Sequence, residues 1–410
     1  MRSTTTLSFT GLATLLAALS MLGPFSIDTY LPAFASIQSS LHASSIEVQQ
    51  TLTAYMLSFA VMTLWHGALS DSFGRRNVVL VALIVFAIGS FGCASAHTVH
   101  YLWVFRVMQG VAAGAGMVIG RAIVRDLYEG ARAEKLLSLV TMIFSIAPAI
   151  APIVGGWVVT HSDWRTIFLL LFFYTLVLLV ACYRYLPESL PAEKRQAFNV
   201  QFLWESYRDV FKSPRFYFKA GTIGCNFAGI FLFISSAPAF ITQHLKLDAQ
   251  SFGWQFIPMV GGIFLGSLAA NRFAGRMTIA KQVAIGFSFL MSAAIVNVVF
   301  HYFSAPMLPW SVVPLFFYAF GMSIVFPGAT LMVLELFSHI RGIVASCQSA
   351  SVTLLSALVA GTLAPALDHS VLALALGQLG FATLALVLWY SGRWYAKRVE
   401  RPLPDYDNSI

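Results

Sequence analysis

Apolar residues along this chain fall into long continuous runs separated by short polar knots, and neither strand-like alternation nor soluble-helix striping dominates. The runs predict twelve helices, at about 8–35, 47–69, 77–97, 99–122, 135–160, 164–186, 215–242, 250–272, 279–303, 308–334, 341–364 and 370–395. Most are near the ~20 residues that carry a helix across a ~30 Å hydrocarbon layer. A membrane β-barrel would show short alternating segments instead. The first run reads as a spanning helix rather than a cleaved leader, because Arg2 alone charges its N-terminal flank.

The longest interruption runs from Pro187 to Pro214 and divides the spans six and six. The expected organisation is therefore a six-helix bundle over 1–186, a linker over 187–213, and a second six-helix bundle with a short tail over 214–410. Within the linker, "FNVQFLWESYRDVF" predicts an amphipathic helix lying on the membrane surface. A weak internal repeat supports two related halves: "GALSDSFGRR" at Gly67–Arg76 returns as "GSLAANRFAGR" at Gly266–Arg276. Parallel six-helix halves related by an axis along the membrane normal are a known transporter architecture.

Composition agrees with this reading. Of 410 residues, 58% are hydrophobic and 10% charged, with mean hydropathy +0.77, whereas soluble domains carry about 25% charge. The fold class is all-α and polytopic. The net charge of +8 follows from topology: with the N-terminus cytoplasmic, only Arg165 and Lys246 of the 25 basic residues fall on the outer side. Both termini are then cytoplasmic, and the positive charge does not imply nucleic acid as a partner. Cys93, Cys182, Cys225 and Cys347 stand singly in apolar runs and read as buried thiols. The nine histidines lie near predicted span ends without acids or cysteines to complete a ligand set, so no metal is expected.

Against this apolar background one carboxylate stands out. Asp28 lies in the uncharged run from Ser3 to Leu41, between Pro24 and Pro32, about 9 Å outward from the middle of that run. A charge at membrane depth costs roughly 2.5–3.5 kcal/mol on insertion scales. Ionised, Asp28 needs a cation or a hydrogen-bond donor; protonated, it is cheap to carry in an apolar cavity. Binding backbone groups freed by the two prolines is the purely structural alternative.

Arg106 is likewise a basic residue well inside a predicted span, within "FRVMQGVAAGAG". In "APAIAPIVGGW", Pro148 and Pro152 predict a kinked fifth helix, and Gly155 and Gly156 let a neighbour approach closely. At the second-to-third loop, Gly67 permits helix packing, Gly74 a very tight turn, and Asp71 can accept from a helix N-terminus or from Arg75 and Arg76.

The Gly-x-Leu-x-Asp-x-Phe-Gly-Arg-Arg pattern of that loop resembles the signature of the major facilitator superfamily. Arg106-x-x-Gln109-Gly110 resembles its second motif, and the fifth-span segment resembles the Gly-Pro-x-x-Gly-Gly motif of its antiporters, with Ala151 in place of the first glycine. "SIDTYLPAF", "WRTIF" and "LPES" are similar to drug:proton antiporters of the Bcr/CflA multidrug-resistance type.

The resemblance implies a monomeric exporter in a bacterial inner membrane. It would expel hydrophobic or amphipathic compounds, such as chloramphenicol- or bicyclomycin-like drugs, with the proton as coupling ion and no other cofactor. It implies that Asp28 faces the central cavity and is coupled to Arg106. It also implies that Tyr30, Tyr55, Asn226, Phe231, Phe233 and Tyr318 lie on cavity-forming spans, and that Asp71, Arg75 and Asp126 form a charge network controlling conformation. Some broad-specificity relatives carry a second acid about two turns earlier in this helix, where this chain has Ser20. A carrier of a small metabolite, such as a sugar or amino acid, on the same scaffold is the alternative. No nucleophile constellation, paired carboxylates or phosphate-cradling loop suggests an enzyme or an ATP-driven pump.

Overall fold

The computed structural model describes residues 7–399. Its twelve spanning helices are Phe9–Leu41, Ser45–Phe73, Arg75–Ala94, Val99–Leu127, Arg132–His161 and Arg165–Tyr185, then Pro214–Ser235, Ala249–Phe273, Ile279–Phe303, Val313–Phe337, Arg341–Leu367 and Val371–Arg398. No strand occurs among the described residues. Arg2 and Arg401, both counted in the charge asymmetry, lie outside them.

Helix starts follow capping chemistry. Ser44 and Glu47 form a reciprocal capping box at the second span, and the hydroxyls of Thr98 and Thr278 cap the fourth and ninth. Helix breaks follow proline. The first span passes through a 3-10 turn, Leu31–Ala33, where Pro32 removes a backbone donor, and then runs on to Leu41. Asp28 is thereby three residues past the middle of its span, about 4–5 Å by helical rise, nearer the centre than the apolar run alone implies. The fifth span breaks at Ser145–Ile146, and Pro148 opens its second helix, Ala147–His161.

Several predicted boundaries move; the second and fourth spans run on to Phe73 and Leu127. The seventh span ends at Ser235 because Pro238 interrupts it, and Ala239–His244 forms a π turn. The tenth starts at Val313 because residues 308–312, with Pro309, are taken up by turns.

Equivalent pairs pack in the two halves. Spans two and four, three and four, three and six, and one and five correspond to eight and ten, nine and ten, nine and twelve, and seven and eleven. Between halves, the second span packs on the eleventh and the fifth on the eighth.

The linker helix, Val200–Lys212, presents Leu203, Tyr207 and Val210 to the bundle, and Tyr207 donates to the Leu64 carbonyl at 2.5 Å. Its apolar face thus meets protein, where the sequence suggested the membrane surface; Phe202 and Trp204 remain exposed.

Candidate functional site

Arg106 is fully buried in the fourth span. Its Nη1 donates to Ser26 Oγ at 2.9 Å, to Gln109 Oε1 at 2.9 Å and to the Ser26 carbonyl at 3.4 Å. Its guanidinium carbon lies 4.7 Å from the Tyr30 ring centroid and 4.1 Å from that of Tyr55. Such desolvated cation–π contacts contribute about 2 kcal/mol each. Gln109 is held in turn by Ser90, to which its Nε2 donates at 2.8 Å. Tyr30 pairs with Thr51 at 2.6 Å, and Tyr55 donates to the Gly23 carbonyl at 3.0 Å. The side-chain amide, hydroxyls and rings around Arg106 therefore come from the first four spans. Its Nε and Nη2 have no partner among the described residues.

Asp28 is 6% exposed and ends the first helix of its span. Ser26 and Tyr30, on either side of it in sequence, both touch Arg106. No hydrogen bond or ion pair from a described residue reaches the Asp28 carboxylate. The backbone-satisfying alternative is therefore not what the geometry shows, and neither is a direct Asp28–Arg106 ion pair. Ser26 was not anticipated; a hydroxyl two residues before a lone buried acid is the only sequence signal it gives.

The charged motif forms a compact cluster at the end of the molecule that carries the linker. Arg75 pairs with Asp71, with Asp126 at 3.0 Å, and with the Ser70 hydroxyl at 2.7 Å. Linker residues complete it: Glu188 accepts from the Arg75 backbone N–H at 2.9 Å and lies 3.6 Å from Arg195, and Ser189 donates to Asp126 at 2.8 Å. Gly74 has φ +93°, and a Cβ there would lie 2.5 Å from Glu188 Oε2. Arg76 turns away and donates to the Tyr183 carbonyl at 2.5 Å. At Gly67 a Cβ would find only Val118, at 4.0 Å, so packing does not require glycine there in this arrangement. Glu188, Ser189 and Arg195 were not anticipated as partners; only the segment "LPES" marked the place.

In the fifth span the two glycines face different neighbours. A Cβ on Gly155 would come within 2.1 Å of the Thr29 carbonyl in the first span, and one on Gly156 within 2.0 Å of the Ala249 carbonyl in the eighth. Gly156 therefore lies in the seam between halves, at the end opposite the linker.

At the linker end a cavity of about 560 Å³ opens between the second, fourth and eleventh spans and the linker, lined by Asp71, Arg75, Arg125, Asp126, Phe198 and Arg341 among others. Asp28, Tyr30, Tyr55, Asn226, Phe231, Phe233 and Tyr318 do not line it in this arrangement; all are buried. Tyr318 donates to the Asn226 carbonyl at 3.3 Å, leaving the Asn226 side-chain amide unpartnered. Phe231 stacks on Phe227, and Phe233 meets Phe240 edge-on. Among the described residues no three metal-ligating side chains converge. His66 lies well inside the second span and is buried, rather than at its end.

Comparison with known proteins agrees with this architecture. The sequence profile of the Major Facilitator Superfamily matches residues 14–360. The chain is 32% identical to an uncharacterized MFS-type transporter, YdgK, of Bacillus subtilis, over 81% of this chain and 83% of that one. It is 26% identical to multidrug resistance protein D of Escherichia coli, over 80% and 82%. To a bicyclomycin resistance protein homolog of Haemophilus influenzae it is 28% identical, over 64% and 66%. Among solved structures, the inward-open xylose transporter XylE of Escherichia coli superposes with a TM-score of 0.72 at 14% identity, covering 97% of this chain and 98% of that one. With its twelve spans and repeated halves, the chain belongs to the major facilitator superfamily.

Proposed function

We propose that this transporter exports hydrophobic or amphipathic compounds, bicyclomycin- or chloramphenicol-like, in exchange for protons. The observation that carries this reading is the Asp28 carboxylate, buried without a partner beside the residues that hold Arg106. The names of two relatives, a bicyclomycin resistance protein homolog and a multidrug resistance protein, support the cargo class.

The linker end, where the basic residues gather, is cytoplasmic on this reading. Cargo enters there through the open cavity and favours loss of the proton from Asp28. The ionised carboxylate draws the unpartnered Nε–H and Nη2–H of Arg106 towards it, through Tyr30 and Ser26 as intermediaries. The halves then part at the opposite end, cargo leaves, and a proton from outside returns Asp28 to its neutral form. Proton and cargo compete through one two-state element, and their effects on each other are reciprocal.

Accumulation tests the proposal. Cells lacking their own exporters and producing this protein should retain less labelled chloramphenicol than control cells, and a protonophore should abolish the difference. Unchanged retention of chloramphenicol and bicyclomycin alike, with protein present in the membrane, would point to a metabolite carrier.

A further inference from the structure

We propose that Gln49 and Gln50 are the latch that holds the two halves together at the end opposite the linker. The inference rests on the alternating-access reading above. Gln49 Nε2 donates to the Ala360 carbonyl at 3.0 Å and to the Ser235 carbonyl at 3.4 Å, and Gln50 Nε2 donates to the Gly361 carbonyl at 2.8 Å. Donors on the second span thus bind acceptors on the seventh and eleventh. Gln49 is buried, so its two bonds are shielded from water, while Gln50 is half-buried.

The acceptors are available for a covalent reason. The eleventh span is wound as a π turn over Val359–Leu363, and the Ala364 N–H goes to the Val359 carbonyl. Pro365 follows, with no N–H to give. It removes the donor four residues on from Gly361 and the one five residues on from Ala360. These two carbonyls are the ones the glutamines satisfy. A buried carbonyl left without a donor is costly, and Ala360 is such a group: its fourth-on N–H, Ala364, goes to Val359 and its fifth-on residue is Pro365, so Gln49 supplies the missing donor while the halves are closed. Single π turns are frequent at functional sites.

Contact at Gly361 is close enough to need glycine. A Cβ there would lie 2.8 Å from Thr53 Cγ2 and 2.9 Å from its Oγ1. The latch is thus built from two adjacent amides, a proline-defined pair of carbonyls and a small residue that lets them meet.

The test uses a single introduced thiol. The four native cysteines are buried. Ser236, 2% exposed with an unpartnered hydroxyl, lies beside the Ser235 acceptor. In spheroplasts, a membrane-impermeant maleimide should label the Ser236→Cys protein slowly. Loss of each glutamine should shift the open–closed balance roughly 5-fold, so the Gln49→Leu/Gln50→Leu background should label about 25-fold faster.

Gln49→Glu, similar in size but offering acceptors to acceptors, should also label faster. Pro365→Ala should do the same without touching either glutamine, because it returns an N–H to the turn. Labelling of Ser346→Cys, in the linker-end cavity, should fall in the same variants when probed from the inner face in inverted vesicles. Local loosening would not produce that reciprocal change. Gly156→Leu, which forces the seam apart sterically, separates the two readings. Faster labelling with Gly156→Leu but not with the glutamine or proline variants overturns the latch and leaves alternating access standing. No increase in any variant overturns both.

Discussion

Arg106 donates to Ser26 Oγ at 2.9 Å, tying the fourth span to the first two residues before Asp28. The buried cation is thus held by residues that flank the buried acid in sequence, and no ion pair joins the two. A buried guanidinium with two donors lacking acceptors carries a desolvation cost that offsets what its three hydrogen bonds and two ring contacts return. It persists, on our account, for what it does to Asp28.

That trade can be measured. Arg106→Met should leave the thermal unfolding midpoint of the purified protein unchanged or raise it by a few degrees, while drug-driven proton exchange falls at least 10-fold. Loss of both stability and transport would mean that Arg106 is chiefly a structural tie.

The adjacent glycines of the fifth span should behave differently. Gly155→Ala drives a methyl into the Thr29 carbonyl within one half and should destabilise the fold by about 1–3 kcal/mol. Gly156→Ala meets the Ala249 carbonyl of the other half and can be relieved by parting the halves. Spin labels on the fifth and eighth spans should report a longer distance for Gly156→Ala only, with little change in melting temperature.

At the second-to-third loop, Gly74→Ala combines a left-handed backbone with a clash against Glu188. A cost of about 1–3 kcal/mol is expected. Thermal melting checks it, and truncating Glu188 to Ala in the same chain should recover only the steric part, since φ remains +93°.

Between the eleventh and twelfth spans, burial holds the Asp368 carboxyl above the ordinary carboxylate range, although His244 and His369 pull it back. A carboxyl raised on folding binds its proton more tightly in the native state. Its contribution is fully present below the unfolded value and is lost as pH rises through the folded one. Asp368→Asn should therefore raise the melting midpoint slightly at pH 7–8 and give no gain near pH 3. Because the group is about half buried, the effect is small.

Much of the fold was legible because membrane spans declare themselves by length and hydropathy alone. What the sequence could not place were interruptions set by single residues: the turn of the first span at Pro32, the π turn before Pro365, the stop at Pro238. At the site, lone intramembrane charges are conspicuous, so Asp28 and Arg106 stood out. Ser26, Thr51, Ser90 and the two glutamines did not, because hydroxyls and amides are cheap in helices and acquire meaning only across a contact. Glu188 and Arg195 escaped for a similar reason: a charged linker looks the same whether it is solvated or docked on Arg75.

The central claim is proton exchange through Asp28, and inverted membrane vesicles test it most directly. Respiration acidifies the lumen, a pH-sensitive dye reports the gradient, and chloramphenicol, bicyclomycin and cationic drugs are added in turn. The account predicts that at least one neutral or amphipathic drug partly collapses the gradient with this protein and not with its Asp28→Asn variant at equal membrane abundance. Drug-induced collapse of equal size with Asp28→Asn would contradict it.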